Sequence, residues 1–268
     1  MKAEPVARER RHTLYFLDEI RAAAPVFIDT EIDMTRVWRH RASSRHEGRP
    51  YSVVTYVLYT SARVLAAHPE ANAAIRGRAR PRVTRYATVS GKLTLDKTLN
   101  GRRVVLATVI PALHLAPLDD VQRHIDRYRD GDPGQMPEFA AVRALHRLPW
   151  PLGPLAFRSV VRPLRRRPET MGTFAVTSLG HRPVDGFCSV GGTTITLGTG
   201  RVIDRPVARD GHVLIAPVMR LSMTFDHRVI DGAEAADVLA DIKNGLENFH
   251  GGPLATAGSP ESKAMTHD

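Results

Sequence analysis

The chain has 268 residues, and 43% of them are hydrophobic, which is enough to bury the core of one large α/β domain. No apolar run reaches the roughly 18 residues of a membrane-spanning helix. The N-terminus has no apolar signal-peptide region, and the single cysteine, Cys188, excludes an intrachain disulfide. The formal net charge is +10, yet we find no helix-turn-helix, zinc-finger or aromatic-basic RNA motif and expect no nucleic-acid partner. We therefore expect a soluble, cytoplasmic protein.

The N-terminal part is predicted to contain two helices separated by a strand. Residues 1–13 are expected to be a tail, and residues 14–24 carry apolar side chains at helical spacing. The stretch 26–37 alternates apolar and polar residues, which is typical of a half-buried strand. A polar loop is expected next. Ser52 is then the predicted N-cap of a buried helix, which Pro69 ends.

Strands dominate the next part of the chain. Residues 83–117 are predicted to form strands, and Asn100-Gly101 between two such runs predicts a tight hairpin turn. Residues 118–130 are then predicted to form a polar helix.

The segment 137–170 is unusual because it is rich in proline and arginine, with large apolar residues between them. Two interpretations stay open. The segment is either an irregular helical hairpin packed on the domain or a basic amphipathic cover. Such a cover would lie over a binding tunnel, or against a membrane surface through residues 145–167.

The C-terminal part returns to strands and closes with one helix. The predicted strands are at 173–179, 191–200 and 212–225. The last helix begins after Asp231, and residues 251–268 are expected to be a disordered tail. No repeat or linker divides the chain, so residues 14–250 are predicted to form one α/β domain whose helices cover one face of the sheet.

One motif carries chemistry, the stretch MTFDHRVIDG at residues 223–232. A strand delivers His227 to its own end, and Asp231-Gly232 opens the final helix. A neutral imidazole can take a proton from a hydroxyl or thiol and return it to a leaving group. Asp231 is expected to cap the helix or anchor the loop, and Gly232 to allow a backbone conformation that other residues resist. The alternative is a helix cap beside an incidental histidine.

The stretch LSMTFDHRVIDGAEAADVLADIKNGLE resembles the signature of the 2-oxoacid dehydrogenase acyltransferases, whose catalytic component is called E2. It is also similar to the HxxxD region of chloramphenicol acetyltransferase. MGTFAVTSLG and APVFIDTEIDMTRV, with the helix after the latter, agree with the family in order and spacing. The resemblance extends over residues 20–248. It implies a two-layer α/β sandwich, with a mixed sheet and helices on one face. It also implies a homotrimer, which E2 relatives build into larger cores.

The resemblance further implies a mechanism without a covalent enzyme intermediate. His227 would be the general base, and Asp231 would hold its loop. Thr177 matches the hydroxyl residue that stabilises the oxyanion in the family, and Ser178 is its neighbour. Acyl-CoA is the implied co-substrate, and no metal is required.

Basic residues would favour the phosphate groups of CoA. Arg102 and Arg103 are the candidates for this contact, with Arg165, Arg166 and Arg167 as further ones. The alternative is that these are solvated surface charges.

Departures from the family pattern indicate a changed substrate. No lipoyl-lysine segment is found in this chain, and the middle segment and residues 137–170 differ from the usual pattern. We therefore expect an acyltransferase that moves an acyl group from a CoA or carrier-protein thioester to an unknown thiol, hydroxyl or amine acceptor. Two alternatives remain: a dihydrolipoamide acyltransferase served by separate lipoyl proteins, and a non-catalytic trimeric assembly protein.

Overall fold

A mixed sheet organises the computed structural model, which describes residues 4–77 and 79–251. The strands are β1 (Pro25–Asp33), β2 (Ala73–Arg76), β3 (Arg82–Arg85), β4 (Gly91–Leu99), β5 (Arg102–Ile110), β6 (Phe174–Ser178), β7 (Ile195–Arg209) and β8 (His212–Asp226). Six of them form one sheet in the order β1-β8-β7-β6-β4-β5, and β2 and β3 form a separate pair. Strand β6 is parallel to both of its neighbours, and the other pairs are antiparallel. The predicted α/β class with a mixed sheet is confirmed.

Helices occur before, between and after the strands. They are α1 (Arg11–Glu19), α2 (Thr35–His46), α3 (Val53–Ala67), α4 (Leu118–Asp130), α5 (Ala140–Arg147), α6 (Leu152–Val161), α7 (Arg167–Thr170) and α8 (Gly232–Glu247). In the described ranges, no helix is long and apolar enough to cross a membrane.

The main core lies between one face of the sheet and helices α3, α4 and α8. A row of apolar side chains crosses four neighbouring strands on this face, and every member is buried: Leu93, Val176, Leu197 and Met223. Helix α8 contributes Val238 and Ile242 to the same core. Because side chains alternate between the two faces of a strand, this row fixes which residues point to the other face.

The second face of the sheet is small and polar. Its corresponding row consists of Lys92, Ala175, Thr196 and Thr224, and all four are buried. Helix α1 reaches this face, since the Lys92 ammonium lies 4.9 Å from the centre of the Phe16 ring. The predicted single helical layer is therefore accompanied by a partial cover on the opposite face.

The loop between β6 and β7 also lies on this second face, and it approaches the sheet backbone directly. A Cβ atom at Gly198 would lie 2.3 Å from the carbonyl oxygen of Phe187. At Gly200 it would lie 2.0 Å from the carbonyl oxygen of Asp185. Only glycine leaves room for main chain to pack on main chain at these two positions.

Local signals in the sequence predicted several elements well. Helix α4 spans the predicted residues 118–130. Asn100 and Gly101 form the two-residue hairpin turn with φ of 50° and 74°, as a type I′ turn requires. The Ser52 side chain accepts a hydrogen bond of 3.2 Å from the Thr55 amide, which confirms it as an N-cap.

The polar loop predicted before Ser52 is wrong, because most of it is helix α2. Only Val37 and Ser44 are buried in this helix, so the hydrophobic pattern that marks a packed helix is nearly absent. The strand predicted over residues 26–37 ends earlier, at Asp33. Its carboxylate accepts a hydrogen bond of 3.0 Å from the Thr35 amide and so turns the chain into the helix.

The chain ends differ from the sequence expectations in part. Helix α1 begins at Arg11, inside the predicted tail of residues 1–13, and a short 3-10 turn at Arg8–Arg10 precedes it. The predicted C-terminal tail, residues 251–268, lies outside the described residues except for Gly251. The segment 137–170 forms helices α5, α6 and α7, as the helical interpretation expected. Exposed apolar side chains on it include Trp150, Leu152 and Leu155, and membrane contact through it stays a prediction.

A pair of histidines joins α1 to α5. The His12 Nδ1 and His146 Nε2 atoms are 2.9 Å apart, and His12 Nε2 lies 2.9 Å from the carbonyl oxygen of Val105 on β5. Burial, together with the positive charge of His12 and Arg11, lowers the pKa of His146 to about 4, although the carboxylate of Glu9 opposes the shift. Burial also lowers the pKa of His12. The contact therefore favours uncharged rings.

Acid should weaken this contact. Unfolded histidine takes up its proton near pH 6.5, whereas His146 in the folded protein does so only near pH 4. Stability should therefore fall as the pH drops from about 6.5 to about 4, by at most about 1.4 kcal/mol per pH unit for each histidine. Urea unfolding of His146→Gln should show a shallower fall than the wild type. The exposed His46 is the control, and a His46→Gln protein with the same shallower fall would contradict the assignment.

Candidate active site

His227 stands immediately after β8, in a turn that main-chain hydrogen bonds hold. Its amide donates to the carbonyl oxygen of Ala24 at 2.9 Å, and the Val229 amide donates to the carbonyl oxygen of Asp226 at 2.9 Å. The imidazole is 47% exposed, and its ring lies 5.6 Å from that of Phe225, centre to centre. Within the part of the chain that the structure describes, Nε2 makes no hydrogen bond, so this nitrogen is open to a ligand.

Asp226 holds this turn in place. Its Oδ1 accepts hydrogen bonds from the amides of Ala24 at 3.3 Å and Arg228 at 3.2 Å, and from the Arg228 Nε at 2.8 Å. The Asp226 side chain is 12% exposed. Burial alone would raise the pKa of this carboxyl, but the hydrogen bonds and charge of Arg228 outweigh it and hold the pKa below its ordinary value.

Asp231 lacks the side-chain contact expected of a helix cap. It occupies the N-cap position of α8, but its side chain makes no capping hydrogen bond. Its Oδ1 instead lies 3.4 Å from the His227 Nδ1, and the side chain is 90% exposed. A carboxylate at this nitrogen favours the tautomer with the proton on Nδ1, which leaves Nε2 free to accept one.

The prediction that Gly232 adopts a backbone conformation that other residues resist is wrong. Its φ is not positive, and a Cβ atom there would meet no atom within 4 Å. Nothing in this chain's own conformation requires glycine at the start of α8.

Thr177 and Ser178 lie at the end of β6 and point to opposite faces of the sheet. Thr177 is half-buried on the polar second face, where its hydroxyl donates to the Thr94 hydroxyl at 3.2 Å. It pairs with Gly198, the residue on which the loop backbone rests. The Ser178 hydroxyl accepts a hydrogen bond of 3.4 Å from the Gly180 amide.

The sheet register separates His227 from Thr177 of the same chain. Thr177 is in line with Gly198 and then Ser222, and His227 lies five residues beyond Ser222. That offset corresponds to about 17 Å along the strand, and two strand spacings add about 10 Å across the sheet. The two side chains therefore cannot act on one substrate atom within a single chain.

Arg102 and Arg103 lie far from His227, on the edge strand β5, four strand spacings from β8. Arg103 forms an ion pair with Asp96, and its Nε lies 2.7 Å from Oδ1. Arg102 Nε lies 3.9 Å from a Glu9 oxygen. Both arginine side chains are 66% exposed, and their contact with CoA stays a prediction.

Three comparisons place this geometry among known proteins. Residues 162–251 match the family model of the 2-oxoacid dehydrogenases acyltransferase (catalytic domain). The dihydrolipoyllysine-residue acetyltransferase component of the Bacillus subtilis pyruvate dehydrogenase complex is 48% identical over 52 residues. That match covers 19% of this chain and 12% of the relative. The predicted family resemblance is confirmed.

Solved structures agree over nearly the whole chain. The cubic core of a pyruvate dehydrogenase multienzyme complex has a TM-score of 0.70 at 18% identity, covering 92% of both chains. A chloramphenicol acetyltransferase has a TM-score of 0.51 at 16% identity, covering 92% of this chain and 98% of the other. The chain therefore has the E2-like fold. No group of three His, Cys, Asp or Glu side chains that could hold a metal ion is found in the described ranges.

Sequence reasoning missed the residues that hold the His227 turn in place. Asp226 and Arg228 flank His227 in the DHR triplet, and their opposite charges two residues apart were the available signal. Which carboxylate takes the structural role could not be read from spacing, because Asp226 and Asp231 both lie close to the histidine along the chain.

Removing the charge of Asp226 should loosen the loop. Asp226→Asn keeps an oxygen acceptor for the two amides but loses the ion pair with Arg228, so we expect a loss of about 1 kcal/mol of unfolding free energy. Asp231→Asn is the matched control, and because that side chain is 90% exposed its unfolding free energy should be unchanged. Urea unfolding measures both. Equal stabilities would show that Asp226 does not anchor the loop.

Proposed function

We propose that the protein is an acyltransferase that moves an acyl group from a CoA or carrier-protein thioester to a thiol, hydroxyl or amine acceptor. The observation that carries this proposal is the placement of His227. Its Nδ1 lies 3.4 Å from the Asp231 carboxylate, and its Nε2 is open, inside the segment that matches the acyltransferase family model.

Each step of the reaction assigns a proton to a stated atom. Nε2 of His227 takes the proton from the acceptor, whose freed lone pair attacks the thioester carbonyl carbon. The carbonyl oxygen becomes an oxyanion, which a hydroxyl donor stabilises. When the carbon–sulfur bond breaks, the protonated imidazole returns its proton to the leaving sulfur. No covalent bond to the protein is formed.

Thr177 is the proposed oxyanion donor, supplied by a neighbouring copy of the chain. The strand register keeps Thr177 away from His227 of its own chain, so a complete site needs two copies. A homotrimer of the E2-like type would provide three such sites, and the cubic core of a fold relative is the precedent for a larger assembly. Ser178 is less suited to this role, because its side chain points to the opposite face of the sheet from Thr177.

Dihydrolipoamide is a second candidate acceptor. The observation that favours it is the 48% identity to a dihydrolipoyllysine-residue acetyltransferase component. The cytoplasmic location expected from the sequence fits either acceptor and remains a prediction.

Replacing His227 should abolish turnover without unfolding the protein. Formation of free CoA from a panel of acyl-CoAs, separated by chromatography, with and without free dihydrolipoamide, should fall by about 10²–10⁴-fold in His227→Ala, because the general base is lost. His212→Ala, on the exposed tip of the same strand, is the control and should turn over like the wild type. An unchanged rate in His227→Ala would overturn the mechanism. Absence of release from the wild type with every donor would favour a non-catalytic assembly protein.

Mixed oligomers test whether the site spans two copies. His227→Ala and Thr177→Val should each be nearly inactive alone. Random mixing in a trimer places an intact His227 beside an intact Thr177 at about one interface in four, so co-expression should restore about a quarter of wild-type turnover. If both residues acted within one chain, no mixture would regain activity, since each chain would lack one of them.

A further inference from the structure

A cavity of about 570 Å³ lies beside the His227 turn. Its walls include the end of α1 and the segment leading to β1, the end of β2, helices α6 and α7, the end of β8, and Arg228 beyond it. We call it the arginine cavity, for its lining residues Arg21, Arg76, Arg158, Arg162, Arg167 and Arg228. Its volume is within the range of small-molecule sites, about 300–1,000 Å³.

Positive charge exceeds negative charge in the arginine cavity. Three carboxylates line it, and each is already occupied by an arginine: Asp18 by Arg158, Glu19 by Arg162, and Asp226 by Arg228. Arg76 and Arg167 have no carboxylate within ion-pair distance among the described residues, and Arg21 reaches only the shared Asp18, at 3.7 Å. The cavity therefore has guanidinium groups to offer to a ligand.

Two polar atoms of the cavity wall are buried without a hydrogen-bond partner. They are the Nε of Arg167 and the hydroxyl of Thr224. Among the described residues, the Arg167 guanidinium makes one hydrogen bond, to the carbonyl oxygen of Gly192, and burial lowers the pKa of Arg167 below the ordinary value. A buried donor without a partner costs free energy. Both residues line the cavity, so a rotation of either side chain would present its unpartnered donor to an acceptor oxygen of a ligand.

A second buried cation stands behind this wall. Lys92 is 5% exposed, and its ammonium donates to the carbonyl oxygen of Gly191. Burial, with a smaller effect from the charge of Arg167, lowers the pKa of Lys92 to about 7. Glu19 and Asp226 act on Arg167 only from beyond ion-pair distance, and a bound anion would favour the charged forms of both Arg167 and Lys92.

We infer that the arginine cavity binds a phosphate-class anion, with Arg167 and Thr224 as its inner contacts and Arg21 and Arg76 nearer its mouth. A planar guanidinium with several N–H donors matches phosphate oxygens, and a diphosphate suits a cavity with several unmatched arginines. The ligand would be either the diphosphate of a nucleotide such as CoA or a separate phosphorylated metabolite. It would touch Arg228 and therefore the segment that carries His227.

Pyrophosphate is the probe that tests the cavity. Titration calorimetry should detect its binding to the wild type at constant ionic strength. Arg167→Met should weaken binding at least tenfold, and Thr224→Val, which keeps the side-chain shape, about three- to tenfold. Arg166→Met is the matched control, because Arg166 is the exposed neighbour outside the cavity, and its binding should be unchanged. Circular dichroism checks that each variant is folded.

The competing explanations give different results. No binding to the wild type, or equal loss in Arg166→Met and Arg167→Met, would overturn the inference, because only general surface charge would remain. Binding that Thr224→Val leaves unchanged would remove Thr224 from the contact and overturn the assigned geometry. His227→Ala should bind pyrophosphate like the wild type. The loss of acyl transfer can therefore be distinguished from the loss of anion binding in the cavity.

Competition with CoA identifies the source of the phosphate. If CoA displaces pyrophosphate, and both bind weakly to Arg167→Met, the cavity holds the diphosphate of the nucleotide. If pyrophosphate binds equally well to protein saturated with CoA, the cavity holds a separate phosphorylated ligand. Either result supports an anion site here.

Discussion

The carboxylate of Asp226 ties together the parts of the molecule on which the candidate site depends. It accepts the Ala24 amide at the start of β1 and the Arg228 amide and guanidinium beyond β8. One side chain thus joins two neighbouring strands to the turn between strand and helix. His227 is fixed by its backbone, while its imidazole stays half exposed. Chemistry needs this combination of a rigid support and an accessible nitrogen.

The two faces of the sheet carry different kinds of side chain, because successive residues of a strand point to opposite faces. Large apolar side chains on one face hold α3, α4 and α8. The other face has lysine, threonine and glycine, and it carries Thr177, the loop between β6 and β7, and part of the arginine cavity. The register that aligns Thr177 with Ser222 also sets its distance from His227. Within one copy of the chain, the sheet therefore keeps the Thr177 and His227 side chains apart.

How much could be predicted from the sequence depends on where each signal acts. Turns, caps and amphipathic patterns act within a few residues, so the Asn100-Gly101 turn, the Ser52 cap and helix α4 were predicted correctly. The family motif located His227 and the end of its strand. Helix α2 was missed because it buries almost no apolar surface. The distinct positions of Asp226 and Asp231, and the burial of the Arg167 Nε and the Thr224 hydroxyl, depend on segments far apart in the chain, and neither propensity nor spacing reports on such contacts.

Gly198 and Gly200 give the region beside Thr177 a wall made of main-chain atoms. Carbonyl oxygens of the overlying loop rest where side chains would otherwise stand. The shortest of these contacts use the carbonyl oxygens of residues 185 and 187, which every residue offers. An evolving enzyme could remodel the wall by shortening or lengthening the loop more readily than by exchanging single residues. Relatives should then differ in this region by insertions and deletions in the loop, while glycine is retained at both positions.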